Sequence, residues 1–316
     1  MGKIDDITKK YVSQNYIFAD IFNHFLFGGN QVIKPEQLKE RDISEIALPY
    51  GDDGSTSVQK YRDILKILQI MEDGKAVYVL LGTELESKIN YAMPPKNMLY
   101  DAINYTGQVS SIAKKYIREK GKGLSGDEYL SGFTKKDKLL PVITLTLYLG
   151  NKKWDAPMSL HEMFDEDSRD YAQFIPDYRI NLISPEAMSE DEIEKFHTDF
   201  RQVMKFIKYS RDKNELRNML NQDKSFETVD RDTANVINVV TKSKLKISGK
   251  EKSIDMCKAV NDLIEEGREE GREEGREEEK LSSIRNLMET MKLTTQQAMD
   301  ALKISASDQP HYLSLL

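Results

Sequence analysis

Residues 61–70 (YRDILKILQI) and 76–82 (AVYVLLG), with Met71-Glu72-Asp73-Gly74-Lys75 between them, are two β-type runs joined by an Asp-Gly connection. Branched and aromatic side chains suit a pleated, half-buried surface, and Asp-Gly is a strong hairpin signal. Residues 139–150 (LLPVITLTLYLG) alternate in the same way and are the clearest strand. Between hairpin and strand, Pro94-Pro95 opens a helix from Asn97 to about Glu119. Upstream, Tyr11, Asn15, Phe18, Phe22 and Phe25 fall at helical spacing, so residues 11–27 read as one amphipathic helix ended by Gly28-Gly29-Asn30. Residues 43–48 read as a short strand and residues 52–57 as a turn. Helix, hairpin, helix and strand in that order predict an α/β core.

Past Trp154 the pattern becomes mainly helical, over residues 158–164, 190–210, 215–221, 230–241 and 254–264, with 180–183 as an extra strand. Ser189 and Glu192 have the spacing of a capping box. Residues 265–279 (EEGREEGREEGREEE) repeat every four residues. Glu three residues before Arg supports a helix, whereas each Gly costs about 1 kcal/mol against Ala. The repeat has no apolar seam and reads as a solvated helix or linker. Leu287, Met291, Ala298 and Leu302 mark a small terminal helical hairpin. The expected organisation is a core over 1–157, a helical extension over 158–264, the repeat over 265–280 and a terminal segment over 281–316.

The 316 residues carry 46 Lys+Arg and 53 Asp+Glu, a net charge of −7. That total argues against a simple polybasic nucleic-acid binder. The acidity is local, however: residues 265–280 hold nine Glu against three Arg and one Lys, which leaves −2 for the rest. Net charge therefore does not vote against DNA. The single Cys257 forms no intramolecular disulfide, and one Cys with four scattered His builds no zinc cluster. No apolar run reaches the roughly 20 residues of a membrane helix, so a cytoplasmic protein without membrane contact is expected. The Gly121-Lys122-Gly123-Leu124-Ser125-Gly126 string follows a charged helix end rather than a strand, so it reads as a loop and not as a dinucleotide site.

Asp63 opens one β run, and Glu84 and Glu86 follow the end of the next, two residues apart and so on one face. If the two runs pair, three carboxylates can converge. Mg²⁺ favours such oxygen-only, partly hydrated sites, and strand-end acids equally serve solubility. Spacing alone does not choose.

Gly82-Thr83-Glu84-Leu85-Glu86-Ser87, Tyr91-Ala92-Met93-Pro94 and Asn97-Met98-Leu99-Tyr100-Asp101-Ala102-Ile103-Asn104-Tyr105 add family context. So do Phe18-Ala19-Asp20-Ile21-Phe22-Asn23, Gln31 to Leu38, Tyr61-Arg62-Asp63, Leu140 to Tyr148, Trp154-Asp155, Ser159 to Met163, Asp255 to Ala259 and the Glu-Gly-Arg repeats. Together they resemble the Rpn family over nearly the whole chain. That family comprises recombination-promoting nucleases, also described as putative transposases, of the PD-(D/E)XK superfamily. The resemblance implies a restriction-endonuclease-like core, a central mixed sheet flanked by helices, with an α-helical C-terminal extension. It implies Asp63 and Glu84 as ligands of Mg²⁺, with Mn²⁺ as a substitute, and DNA as the substrate. Glu86 then holds the position where the superfamily usually has Lys and this branch often has Gln; a Glu supplies no cation there and adds repulsion unless a metal or proton compensates. Lys88, on the same strand face if the strand persists, is a candidate substitute. Gln108, one helical turn from Tyr105, is a candidate phosphate contact and catalytic neighbour, and Asp20 a candidate support for the metal shell. Lys96, Lys114 and Lys115 are phosphate candidates that also fit a solvated helix face, while Tyr148 and Trp154 read as core. The expected activity is metal-dependent DNA hydrolysis linked to recombination or mobile elements, with a homodimer for paired cuts. The alternative is a decayed nuclease fold acting as a DNA-binding or protein-interaction scaffold.

Overall fold

The computed structural model describes residues 3–40, 63–72, 75–119, 123–247 and 251–316. The expected strand at 43–48, the turn at 52–57, Tyr61-Arg62 and Asp73-Gly74 lie outside the described residues, as do positions 121 and 122 of the glycine string. Two helices, α1 (Lys3–Val12) and α2 (Asn15–Phe27), precede a short strand β1 (Leu38–Glu40). The hairpin follows as β2 (Ile64–Glu72) and β3 (Lys75–Glu86). The pairing runs out to Glu72↔Lys75, so the strands take in Met71, Glu72 and Lys75 of the expected five-residue connection. After β3 come α3 (Met93–Arg118), α4 (Gly126–Ser131), β4 (Val142–Tyr148) and β5 (Asn181–Ile183).

The five strands form one mixed sheet in the order β1-β2-β3-β4-β5. The first three are antiparallel neighbours, whereas β4 runs parallel to β3 and β5 parallel to β4. A parallel neighbour requires a crossover, and α3 lies within it. The α/β expectation is met. β1 is an addition that a three-residue stretch with no alternation could not announce.

Residues 11–27 do not form one helix. The chain breaks at Ser13-Gln14 because a partner far away in sequence claims the break. The Lys66 ammonium of β2 donates to the Ser13 carbonyl at 2.6 Å and to Asn15 Oδ1, and lies 5.4 Å from the Phe18 ring centroid. Lys66 is 1% exposed, so these acceptors substitute for the water it lost.

The helical region also differs from its periodicity. Residues 158–164 make a bridge, Ser159↔Arg179, and a 3₁₀ turn over His161–Met163. Residues 190–210 divide into α5 (Glu190–Ile193) and α6 (Phe200–Tyr209). The Ser189–Glu192 capping box opens α5 as expected. Then follow α7 (Lys213–Gln222), β6 (Val229–Asp230), α8 (Arg231–Thr241) and β7 (Ser253–Ile254), with β6 and β7 paired antiparallel. Phe200, Val203, Phe206 and Ile207 of α6 and Ala234, Val236 and Ile237 of α8 are buried.

Lys205 of α6 is buried between two carboxylates, donating to Asp223 at 2.8 Å and pairing with Glu194. Burial works to raise both carboxyl pKa values, but the hydrogen bond and charge of Lys205, with Arg201 beside Glu194 and the Ser225 hydroxyl and N–H on Asp223, outweigh it and hold both below their ordinary range. Groups with depressed folded-state pKa values stabilise the fold above their unfolded values, and that stability disappears as pH falls through the folded ones. Wild type is therefore expected to lose urea resistance over the window that opens below about pH 4.5 more steeply than Lys205→Met. Equal steepness in urea midpoints across that window would refute the assignment.

Met1–Met256 and Cys257–Leu316 are separate compact units. Helix α9 (Met256–Met291) carries the repeat, and α10 (Thr295–Ala301) and α11 (Gln309–Leu315) follow it. Residues 265–280 are helical throughout, with nothing within 4 Å of a Cβ built at Gly267, Gly271 or Gly275. Ile284, Ala298, Met299, Ile304 and Tyr312 form the small core of this unit.

Candidate active site

The hairpin register decides which acids meet. Ile64 pairs with Thr83, so the next antiparallel position outward sets Asp63 against Glu84. The Leu85 N–H donates to Asp63 Oδ2 at 2.9 Å, which ties the aspartate to the end of β3. Across the parallel join, Glu84 pairs with Thr146 and Glu86 with Tyr148. Alternation therefore gathers Asp63, Glu84, Glu86 and Thr146 on one face. Lys66, out of step with Asp63, marks the opposite face, where α2 lies.

Helix α3 covers the carboxylate face through a polar seam. Asn97 Nδ2 donates to Thr146 Oγ1 at 2.9 Å, and Thr144 Oγ1 donates to Asp101 Oδ1 at 2.6 Å. The Tyr178 hydroxyl donates to the other Asp101 oxygen. One turn further, the Val142 N–H donates to the Tyr105 hydroxyl at 3.1 Å, and then Gln108 exchanges two hydrogen bonds with the Leu140 backbone. Steps of three or four residues on the helix thus match steps of two on the strand, in opposite directions. Gln108 and Tyr105 do share a helix face, but that face meets the start of β4. Gln108 lies against residue 140 and the carboxylates lie beside residue 146, about 20 Å along the strand. Gln108 is a structural clamp and not a neighbour of the acids.

The seam also aims the residue before Asn97. Lys96 Nζ lies 2.7 Å from Glu86 Oε1 and 3.2 Å from Glu84 Oε2. Glu84 is 1% exposed, and Lys96 is half-buried. Partial burial works to lower the Lys96 pKa. The hydrogen bond to Glu86 and the charges of Glu84 and Glu86 outweigh it and hold the ammonium above the ordinary lysine range.

A family model described as "Putative transposase, YhgA-like" matches residues 58–236, which include Asp63, Glu84, Glu86 and Lys96. The chain belongs to this family. Neither a curated protein nor a solved structure matches it at a significant level. The family description links the chain to mobile elements.

The remaining residues singled out in the sequence fall elsewhere in the structure. Strand β3 ends at Glu86, so Lys88 lies beyond it, exposed. Asp20 is fully engaged away from the carboxylates, accepting from the His197 and Thr198 N–H groups and from the Thr198 hydroxyl. Tyr148 and Trp154 pack edge to face at 5.3 Å in a core with Met93 and Ile180, as expected of core residues. The glycine string continues into Ser125, which caps α4.

The three carboxylates do not converge on one point. Lys96 stands between Glu84 and Glu86, and among the described residues no group of three or more His, Cys, Asp or Glu side chains is arranged to hold a metal ion. Asp63, tied through Oδ2 to the Leu85 N–H, and Glu84, the residue before Leu85, remain at the sheet end. That donor set fits a hard divalent ion that keeps most of its water. Sequence reasoning placed Lys96 among phosphate candidates and missed its pairing with the acids. The available signal was its position in the first turn of a helix that returns over the strand end just left.

Proposed function

We propose that the protein is a metal-dependent DNA endonuclease-like enzyme with a restriction-endonuclease-like core. The carrying observation is the group Asp63, Glu84, Glu86 and Lys96 on one sheet face beneath the start of α3. The order of helix, antiparallel strands, helix and parallel strand supports the same reading.

Asp63 and Glu84 would hold Mg²⁺ or Mn²⁺. Bound there, the ion would generate the nucleophilic hydroxide and neutralise charge on the scissile phosphate. Glu86 holds Lys96 beside Glu84, so that the pair performs the task of the usual strand lysine. The cation comes from the helix, and the strand position supplies its anchor. Three carboxylates and one ammonium leave two negative charges, which one divalent ion balances. Asn97 and Thr146 fix the helix start and hence the reach of Lys96.

The test is plasmid nicking with Mg²⁺ or Mn²⁺ by wild type, Asp63→Ala and Glu84→Ala. Cleavage should fall by at least about 10³-fold in both variants. Cleavage that survives both substitutions would sink the assignment.

One observation favours a second reading. Lys96 already compensates Glu84 and Glu86 without any ion, as expected of a site retained for stability in a DNA-binding or protein-interaction scaffold. That reading predicts no nicking by wild type under any divalent cation.

A further inference from the structure

We propose that the far end of α3, with the loop that follows α4, is a second phosphate-binding surface that grips duplex DNA about one helical turn from the carboxylates. It rests on the reading of DNA as the substrate and adds where the duplex lies.

Lys114, Lys115 and Arg118 end α3, and Lys135, Lys136 and Lys138 lie in the loop before β4, all six exposed. Two structural ties make them one surface. The Tyr116 hydroxyl donates to both Asp137 oxygens at 3.0 and 3.1 Å, and Gly132 sits so close to Ala113 that an added Cβ would come within 2.6 Å of its Cβ. The acids in these two stretches are Glu119 and Asp137, so they carry a surplus of four positive charges in a chain of net −7. On neighbouring α4, Asp127 and Glu128 add two acids, Glu128 accepting from the Ser125 and Lys135 N–H groups, and with them counted the surplus is two.

A helix C-terminus attracts cations through its dipole, which accounts for Lys115 and Arg118. It does not account for the three loop lysines. Spacing supplies the independent argument. From Lys96 to Lys114, Lys115 and Arg118 is 18–22 residues, roughly 30 Å at 1.5 Å per residue. A duplex repeats its backbone every 34–36 Å. DNA lying along α3 would present phosphates of the same face to the carboxylate site and to the basic end.

The test is fluorescence anisotropy of a labelled duplex of about three helical turns, titrated in EDTA at several salt concentrations. Without metal there is no cleavage, so binding is judged apart from the nuclease reading. The salt slope for Lys135→Ala/Lys136→Ala/Lys138→Ala should be shallower than wild type by about 2–3, and for Lys114→Ala/Lys115→Ala by about 1–2. Unchanged thermal melting of both variants shows that folding is intact, as exposed side chains permit. Slopes equal to wild type in both variants would overturn the proposal, even for a protein that nicks DNA. Slopes reduced as stated would uphold it, even for a protein that never nicks. Exposed Ile117 and Leu130 border the surface, so vesicles rich in phosphatidylglycerol are the competing polyanion. Patch-dependent vesicle binding with patch-independent duplex binding would overturn it in favour of a lipid surface.

Discussion

Lys96→Met is expected to lower the rate of plasmid nicking by about 10²-fold or more, while tightening the uptake of Mn²⁺ by the DNA-free protein. The first effect is the usual scale for removing one positioned charge or donor from a reaction that develops negative charge. The second follows from sign. The ammonium lies 3.2 Å from Glu84, a proposed ligand, and repels any cation arriving there. At 4 Å and an effective dielectric of 20, two unit charges interact by about 4 kcal/mol. The half-exposed side chain is screened by solvent, so about tenfold in affinity is the scale to expect. A residue that only packed the helix against the sheet would weaken both properties together through unfolding. Lys96→Arg keeps the charge and should retain much of the activity. Mn²⁺ titration calorimetry beside the nicking assay separates these outcomes, and a Lys96→Met variant that nicks like wild type would remove Lys96 from the site.

Glu86 shows why this arrangement was hard to foresee. As a linear string, Glu84-Leu85-Glu86 offers an acid where a cation is expected, which points to decay. In three dimensions, Glu86 presents its carboxylate to a lysine ten residues later, which is the cation the proposed mechanism uses. Only the geometry of the strand-to-helix return brings the two together. By contrast, the hairpin was legible because its determinants are local: two β-type runs and an Asp-Gly pair between them, although the strands reach further into the 71–75 connection than the runs alone indicated. Helix α3 was legible for the same reason, from its prolines and its 3.6-residue spacing. That spacing correctly grouped Tyr105 with Gln108 but carried no information about which end of β4 they would meet. The helix breaks at residues 13–14 and before residue 200 were illegible because their causes lie 53 and 177 residues away, in Lys66 and Asp20. Periodicity reports which side of a helix is apolar. It does not report that a distant side chain will claim a backbone carbonyl or amide and so end the helix there.

Asp20→Ala is the second large effect, and it falls on stability and not on chemistry. Asp20 is 1% exposed. Its Oδ2 accepts from the Thr198 N–H at 2.8 Å, from the Thr198 hydroxyl at 2.7 Å and from the His197 N–H at 3.0 Å; that same N–H reaches Oδ1 at 3.1 Å. Truncation removes an acceptor and leaves the donors where water is scarce. Stranded buried donors cost about 1–3 kcal/mol each, so a total of about 3–5 kcal/mol is expected, short of simple addition because the loop can relax. That is a large share of the 5–15 kcal/mol that holds a typical domain together. A urea titration should show a lower midpoint with an unchanged slope. Asp20→Asn keeps one acceptor oxygen and should lose roughly half as much. Support of a metal shell, the role the family resemblance assigns to Asp20, predicts the reverse pattern: nicking lost at nearly full stability. The geometry rules on this before the assay does. Asp20 spends both oxygens on the segment entering α6 and on the Gln31 amide, from a helix that packs on the sheet face opposite Asp63 and Glu84. Residual nicking by Asp20→Asn, measured at a temperature where it remains folded, should therefore match wild type per folded molecule, and a deficit of tenfold or more would return Asp20 to the metal site.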